Sequence, residues 1–509
     1  MEKERLMLQE ISRRPHPCAP WTGLSDDQQA KLFPGGIGPS PELLRHRWEH
    51  LQSRAFAPVE VPATAFARFS ASSQAALQKA LSGKFPVVLT GQQPVVLGGP
   101  FFVWLKAAGA ISAARRASRL LGREVVPLFW IAGDDSDLPE VRALRNPISR
   151  QNLSLDFGDI PAGTPVGNLA PPPAEVARAA AEISNWWPSS PAIPLLSQAK
   201  TLSDLTRICL EAWFPNSGLA IVDAAWPGLR RSFAPAYADV ATHARELSLD
   251  LAAGIQAARE AGLPVTLRAL EGKARLFSLA SGTRTRIQTP EAPAALAAQV
   301  LTAPEQFSHD AASRIFAAEE AFPTLAHVLG PGEFAYVACL GEAQRRLSRP
   351  IAPALPRPSL TLLPSGTASL AREAGYEFSQ TCPPTSAPFR EAYLRGVHPE
   401  LAALESRWKA LREAYLSQVG GHPDSGPARR LEAWEGRELR HRMEALAGNH
   451  TDKLRELEEL WAWLGAGGLQ ERSWSPWALA HHLGAEVLDR LSEQMEGLDG
   501  TCHTILEVA

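Results

Sequence analysis

With 509 residues, 45% of them hydrophobic and 21% charged, the chain is long enough for about two to four structural units and too apolar to be largely disordered. A formal net charge of −3 gives no electrostatic attraction toward nucleic acid or an anionic membrane, so neither is expected as a partner. The charged opening Met1-Glu2-Lys3-Glu4-Arg5 leads into no apolar segment, and no later stretch stays apolar for the roughly 18 residues of a membrane span, which predicts a cytoplasmic protein.

Residues 1–60 carry Pro15, Pro17, Pro20, Pro34 and Pro39 among short polar runs and read as an irregular lead-in. A core is expected over 61–390, with insertions near 141–200 and 264–330. Val87-Val88-Leu89, ending in Thr90-Gly91, and the run 125–131, ending in Ala132-Gly133, have the pattern of buried strands. Between them Phe101, Trp104, Leu105, Ala108, Ile111 and Leu120 recur at helical spacing, after Gly-Gly-Pro and before Gly122, completing a βαβ unit.

The Pro-, Ser- and Asn-rich stretch 141–200 predicts a strand over 152–157 and a helix over 174–185. Residues 218–223 predict a third core strand followed by a long amphipathic helix, and 264–270 with 274–279 suggest a hairpin around Glu271-Gly272-Lys273, so the core is expected to mix parallel and antiparallel strands. From Ala392 the texture changes. Leu401, Leu404, Trp408, Leu411 and Tyr415 alternate three- and four-residue spacings, the seam of a coiled coil. After the breaker 420–427 a second helix carries Leu446, Leu454, Leu457, Trp461 and Leu464 to its end at Gly465, so 391–468 is expected to be an antiparallel helical coiled-coil arm. Residues 469–509 should return to the core as a helix around 477–495.

Three places could carry chemistry. Thr90-Gly91-Gln92-Gln93 through Gly98-Gly99-Pro100 is a Gly-rich loop between a strand and a helix, where free N–H groups and the helix dipole favour an anion and two Gln amides add polar groups; a merely tight turn is the alternative. Lys106 lies a turn or two into that helix, on a side that could face solvent. Asp134, Asp135 and Asp137, just after Trp130 at the end of the second strand, could bind substrate polar groups or a metal or act as bases, although any one of them could instead cap a helix. Gly330-Pro331-Gly332-Glu333 opens a helix with an acid in its first turn, which the dipole alone explains. The histidines are dispersed, and His481-His482 face apart on a helix, so no metal site is predicted. Cys18, Cys209, Cys339, Cys382 and Cys502 are odd in number, widely spaced and read as reduced core thiols.

Taken together, residues 87–106, 126–141, 218–234 and 330–340 resemble the bacillithiol synthase family, the cysteine ligases of bacillithiol biosynthesis. The resemblance rests on Thr90-Gly91-Gln92-Gln93, Gly99-Pro100 with Lys106, Phe129-Trp130-Ile131-Ala132 with Asp134-Asp135-Ser136-Asp137, and Pro331-Gly332-Glu333-Phe334-Ala335-Tyr336. Residues 467–472 also look like the family's segment after its coiled coil. The resemblance implies an α/β, Rossmann-like nucleotidyltransferase-type core with inserted segments plus an α-helical coiled-coil arm, and a homodimer formed through that arm. It implies a ligase joining L-cysteine to the amine of glucosaminyl malate. Making an amide from a free carboxylate needs activation, so ATP or a related nucleotide is the expected cofactor.

In this picture Thr90, Gly91, Gln92, Gln93, Gly98, Gly99, Pro100, Lys106, Trp130, Arg314, Gly330, Gly332 and Tyr336 would bind substrate or nucleotide, and Asp134, Asp135, Asp137 and Glu333 would be catalytic. The chain departs from the family pattern at Asp134, usually glutamate, and at Ser136, usually histidine, and the stretch 307–320 follows it only loosely, with Arg314 surviving as a carboxylate clamp. Two other readings fit the residues: a nucleotide-sugar glycosyltransferase with Asp135-Ser136-Asp137 as a metal clamp, and a non-catalytic scaffold built around the arm.

Overall fold

The computed structural model describes residues 6–16, 19, 21–61, 63–66, 69–422, 425–498 and 500–508. The opening pentapeptide, Pro17, Cys18, Pro20, Pro423 and Asp424, on which some expectations fell, lie outside the described residues. The strands in chain order are β1 (Leu8–Pro15), β2 (Val87–Gln92), β3 (Val126–Ile131), β4 (Ala143–Arg145), β5 (Asn152–Ser154), β6 (Ala220–Asp223), β7 (Lys273–Ser278), β8 (Thr285–Gln288), β9 (Phe307–His309), β10 (Thr324–Leu329), β11 (Ala354–Pro356), β12 (Ser359–Leu363) and β13 (Cys502–Val508).

The central sheet runs β11-β10-β2-β3-β6, and every neighbouring pair is parallel. Its strands are short unbroken apolar runs, and β3 and β10 are buried at every position, as strands covered on both faces require. The expected mixture of directions is therefore wrong for the core, because the antiparallel strands form separate small sheets. By chain position the central order is third, second, first, fourth, fifth. The winding thus reverses between β2 and β10, and in doubly wound sheets ligands bind outside the carboxyl ends of the strands at that reversal.

The helix Phe101–Leu121 connects β2 to β3 as predicted and ends at Gly122, whose φ of 61° makes a left-handed cap that glycine adopts without a Cβ clash. Its run of small residues lets it lie close to the sheet. A Cβ on Gly109 would come within 2.7 Å of Pro358 Cδ.

Several expectations needed correction. The lead-in is not irregular: β1 lies in it, followed by the helices Asp26–Leu32 and Pro41–Gln52. β1 pairs antiparallel with β13, and β13 pairs parallel with β12, so the tail returns as the helices Pro476–Leu483 and Val487–Gln494 and then as the middle strand of a sheet. The hairpin is β7–β8, turning over 279–284, and 264–270 is not a strand. The stretch 264–330 is not simply an insertion either, since it contains the core strand β10.

In the arm the long helices Pro399–Gln418 and Gly426–Ala447 run antiparallel, joined by the Trp408–Trp434 ring contact at 5.8 Å and the Arg412–Glu435 ion pair at 2.7 Å. The second helix breaks at a short turn over Gly448–His450 before Thr451–Trp463, whose Leu454, Leu457 and Leu460 pack into the main core. The predicted seam divides. Leu401 is buried, whereas Leu411 and Tyr415 are 67% and 49% exposed, as are Val419 and Trp434, outside that seam, at 55% and 44%.

Candidate active site

The end of β2 and the start of the helix Pro331–Val337 meet at the reversal of the sheet. Thr90 is buried and its hydroxyl donates to Val328 O at 2.8 Å, so it latches β2 to β10 rather than meeting a ligand. Gly91 allows the strands to close, since a Cβ there would lie 2.6 Å from Trp130 O.

Lys106 does not face solvent. Side chains on a helix lean toward its N-terminus, and Lys106 reaches back that way, 4% exposed, to donate to Gly91 O at 2.8 Å and Gln92 Oε1 at 2.9 Å and to pair with Glu333 Oε2 at 2.7 Å. Burial pushes its ammonium below the usual lysine range, with Glu333 opposing.

The Glu333 carboxylate also accepts the Gly330 N–H at 2.8 Å on Oε2, while Oε1 faces Arg314 Nη2 at 3.5 Å. Arg314 donates in turn to the Tyr336 hydroxyl. Burial works against the Glu333 charge, but Lys106 and Arg314 outweigh it and hold the carboxyl below its ordinary range. With both oxygens engaged, Glu333 is placed to fix two cations, not to take up a proton. Gly332 borders open space, so nothing steric demands a glycine there.

The acidic cluster is dispersed. Asp137 is exposed and begins the short helix Leu138–Val141 without a side-chain cap, so neither the expected cap nor a buried site forms there. Asp135 accepts from Gln93 Nε2 at 2.9 Å on one oxygen and from Arg284 at 3.1 Å on the other. Consecutive glutamines thus serve two clusters, Gln92 on the Lys106 side and Gln93 on the Asp135 side.

Asp134 is buried, and its Oδ2 lies 3.8 Å from His309 Nε2 with no hydrogen-bond partner. His309 accepts from the Tyr237 hydroxyl at 2.8 Å, and burial drives it down to about 4 against the pull of Asp134, so it is neutral at pH 7. Asp223, at the end of β6, is pushed by burial and by the Asp134 charge up to about 6. Trp130 is core: it stacks on Phe233 at 5.3 Å and meets His309 edge-on.

Gly98 and Gly99, with φ of 76° and 79°, make a tight turn, and Gly98 is packed so closely that a Cβ would fall 2.2 Å from the Trp213 ring. The first amide of the following helix, Phe101 N, is taken by Trp474 O at 2.6 Å. This favours the tight-turn reading of 98–100 over an anion cradle. Gly99 and Pro100 instead border a cavity of about 400 Å³ lined also by Arg145, Asn152, Gly467 and Arg472.

Sequence reasoning missed His309, Tyr237, Asp223 and Arg284. Arg284 reaches Asp135 across 149 residues of chain, so no local spacing could reveal it; His309 lay in a stretch noted only for diverging.

A parallel sheet wound third-second-first-fourth-fifth, with charged side chains gathered at its reversal, defines a Rossmann-like α/β protein. The family model described as Bacillithiol biosynthesis BshC, N-terminal Rossmann-like domain, matches residues 62–358, and the chain belongs to that family. Relatives named putative cysteine ligase BshC include those of Shouchella clausii (26% identical, covering 80% of this chain and 82% of that protein), Symbiobacterium thermophilum (26%, 82% and 83%) and Desulforamulus reducens (29%, 55% and 56%).

Proposed function

We propose that the protein joins L-cysteine, through its carboxyl group, to the amine of glucosaminyl malate, with ATP or a related nucleotide activating the carboxylate. One observation carries this reading within a chain of the bacillithiol biosynthesis family: buried Lys106 and half-buried Glu333 and Arg314 form a charge chain at the carboxyl ends of β2 and β10, where the sheet reverses. In the activation step a cysteine carboxylate oxygen attacks the α-phosphorus, the α–β phosphoanhydride bond breaks and pyrophosphate leaves. In the transfer step the acceptor amine attacks the acyl carbon, the bond to AMP breaks and the amine gives up a proton.

Arg314, 20% exposed and already held in place by Tyr336 and Glu333, receives the cysteine carboxylate. Lys106 lends positive charge from behind Gln92 as negative charge develops on phosphate. The Gln92 and Gln93 amides orient polar groups of the substrates. Asp134, with an unpartnered oxygen beside neutral His309, is the group best placed to accept the amine proton, and Asp135 holds the loop through Gln93 and Arg284.

The same reading gives the arm a role. Leu411, Tyr415, Val419 and Trp434 form an apolar strip uncovered within the chain, and a second copy laid against it would complete a coiled-coil homodimer. It also takes the chain to comprise a Rossmann-like core, a helical arm and a returning tail, and to work in the cytoplasm.

Titration calorimetry with cysteine and with ATP tests the site. Wild type should bind both, and Arg314→Met should weaken cysteine binding at least tenfold while leaving the thermal midpoint within a few degrees. Equal cysteine affinity in the two proteins would move the carboxylate subsite away from Arg314.

A further inference from the structure

At the root of the arm two histidines from distant parts of the chain point their Nε2 atoms at each other. His398 stands between the helices Ala387–Val397 and Pro399–Gln418, and His450 stands just before Thr451–Trp463. The two Nε2 atoms are 2.9 Å apart, with the ring planes 78° to one another. Each ring is also held from its far side: His398 Nδ1 is 2.9 Å from Glu400 Oε1, and His450 Nδ1 is 3.2 Å from the Tyr393 hydroxyl. Both residues are half-buried, and so is the contact between their rings.

A histidine whose Nδ1 is anchored by a carboxylate or another polar group, with Nε2 presented outward, is the arrangement that metal-ligating imidazoles adopt. Here two such rings converge. We propose that His398 and His450 form a binding site for a first-row divalent ion such as zinc, which imidazole nitrogens bind.

To take the ion the rings part slightly and tilt so that both Nε2 lone pairs meet at one point. Zinc–nitrogen bonds of about 2.0–2.1 Å in a tetrahedral site put two ligand nitrogens roughly 3.3 Å apart, so the Nε2 atoms would separate by about 0.4 Å. Without the ion the network is satisfied by hydrogen bonds alone. One set of tautomers satisfies every contact: His398 Nδ1–H to Glu400, Tyr393 O–H to His450 Nδ1, and His450 Nε2–H to His398 Nε2. When the ion binds, the His450 hydrogen moves from Nε2 to Nδ1 and the Tyr393 oxygen becomes its acceptor.

Among the described residues no third His, Cys, Asp or Glu side chain converges there, so water or a small external ligand completes the coordination and the site is an open one. Its position gives the ion a consequence. Tyr393 and His398 lie before the outgoing arm helix, and His450 directly precedes a helix whose Leu454 and Leu457 are core residues, so one ion would clamp the arm to the body.

The test is zinc titration of the full-length protein, read by equilibrium dialysis and by the thermal midpoint, against His398→Gln and His450→Gln, whose amides preserve polar contacts without ligating well. Each substitution should weaken zinc binding about a hundredfold and abolish the zinc-induced rise in midpoint. Tyr393→Phe should weaken binding about tenfold by leaving His450 Nδ1 without its partner. His481→Ala/His482→Ala, at the other histidine pair, should leave zinc binding and the zinc-induced rise in midpoint unchanged. Zinc uptake equal in wild type and in the His398→Gln/His450→Gln double variant, or none by wild type at millimolar zinc, would overturn the proposal and leave a hydrogen-bonded pair.

Discussion

The Lys106–Glu333 pair shows how a charge becomes committed once its neighbours are fixed. Taking away either partner strands the other inside the protein, and such losses cost about 3–5 kcal/mol. Lys106→Met and Glu333→Gln should therefore each lower stability in urea by about that amount, while the double variant should lose less than the sum, because neither charge is left alone. Strictly additive losses would mean that the pair is not coupled. Arg314→Lys keeps a charge but loses the planar fork, and product formation should drop about ten- to a hundredfold with stability nearly unchanged. Undiminished product formation would remove Arg314 from the site. At this scale the sequence named Lys106, Arg314, Glu333 and Tyr336 but not their meeting. Lys106 could have pointed outward and Glu333 could have answered only to a helix dipole. The way a long side chain leans on its helix decided the first, and the approach of residues 314 and 333 to β2 decided the second.

The elements most legible in the sequence were those whose signal is local. The β2–helix–β3 unit came from apolar runs and helical spacing with glycine and proline at its edges, and it stands nearly where expected. β1 was not legible, because its alternation is weak and its partner β13 comes from the opposite end of the chain. The β7–β8 hairpin was displaced because Glu271-Gly272-Lys273 looks like a turn, while the pairing is set by β7 meeting β9 as well. In the arm, heptad spacing identified apolar positions without telling which ones the body covers. Leu457 is 1% exposed within the chain, so Leu457→Ala should cost about 2–5 kcal/mol of stability and is no probe of an interface. Leu411→Glu with Val419→Glu should instead leave the folded chain intact and halve its mass in analytical ultracentrifugation, and an unchanged mass would count against the arm-to-arm dimer.

For the molecule as a whole, buried histidines set the response to acid. Burial holds His16 and His309 at about 4 and His503 at about 3, against 6.5 when free. As pH falls below 6.5 the unfolded chain takes up protons that the folded chain refuses, so stability present above 6.5 is lost toward pH 4, at up to about 1.4 kcal/mol per pH unit for each histidine. Asp223 acts in the opposite sense. Raised to about 6 from 3.8, it binds its proton first in the folded chain and returns some stability over that window, one group against three. Glu471, held at about 2 by Arg357 against the effect of burial, adds a further loss below about 4.5. The thermal midpoint should therefore fall steadily from pH 7 to pH 4, and a flat profile would show that these histidines are not neutral in the folded state. Mass spectrometry of the purified protein with ATP, cysteine and glucosaminyl malate reads the ligation itself. Wild type should give cysteinyl glucosaminyl malate and Arg314→Met a strongly reduced yield; no product from folded wild type, with all three compounds present, would rule the ligation out.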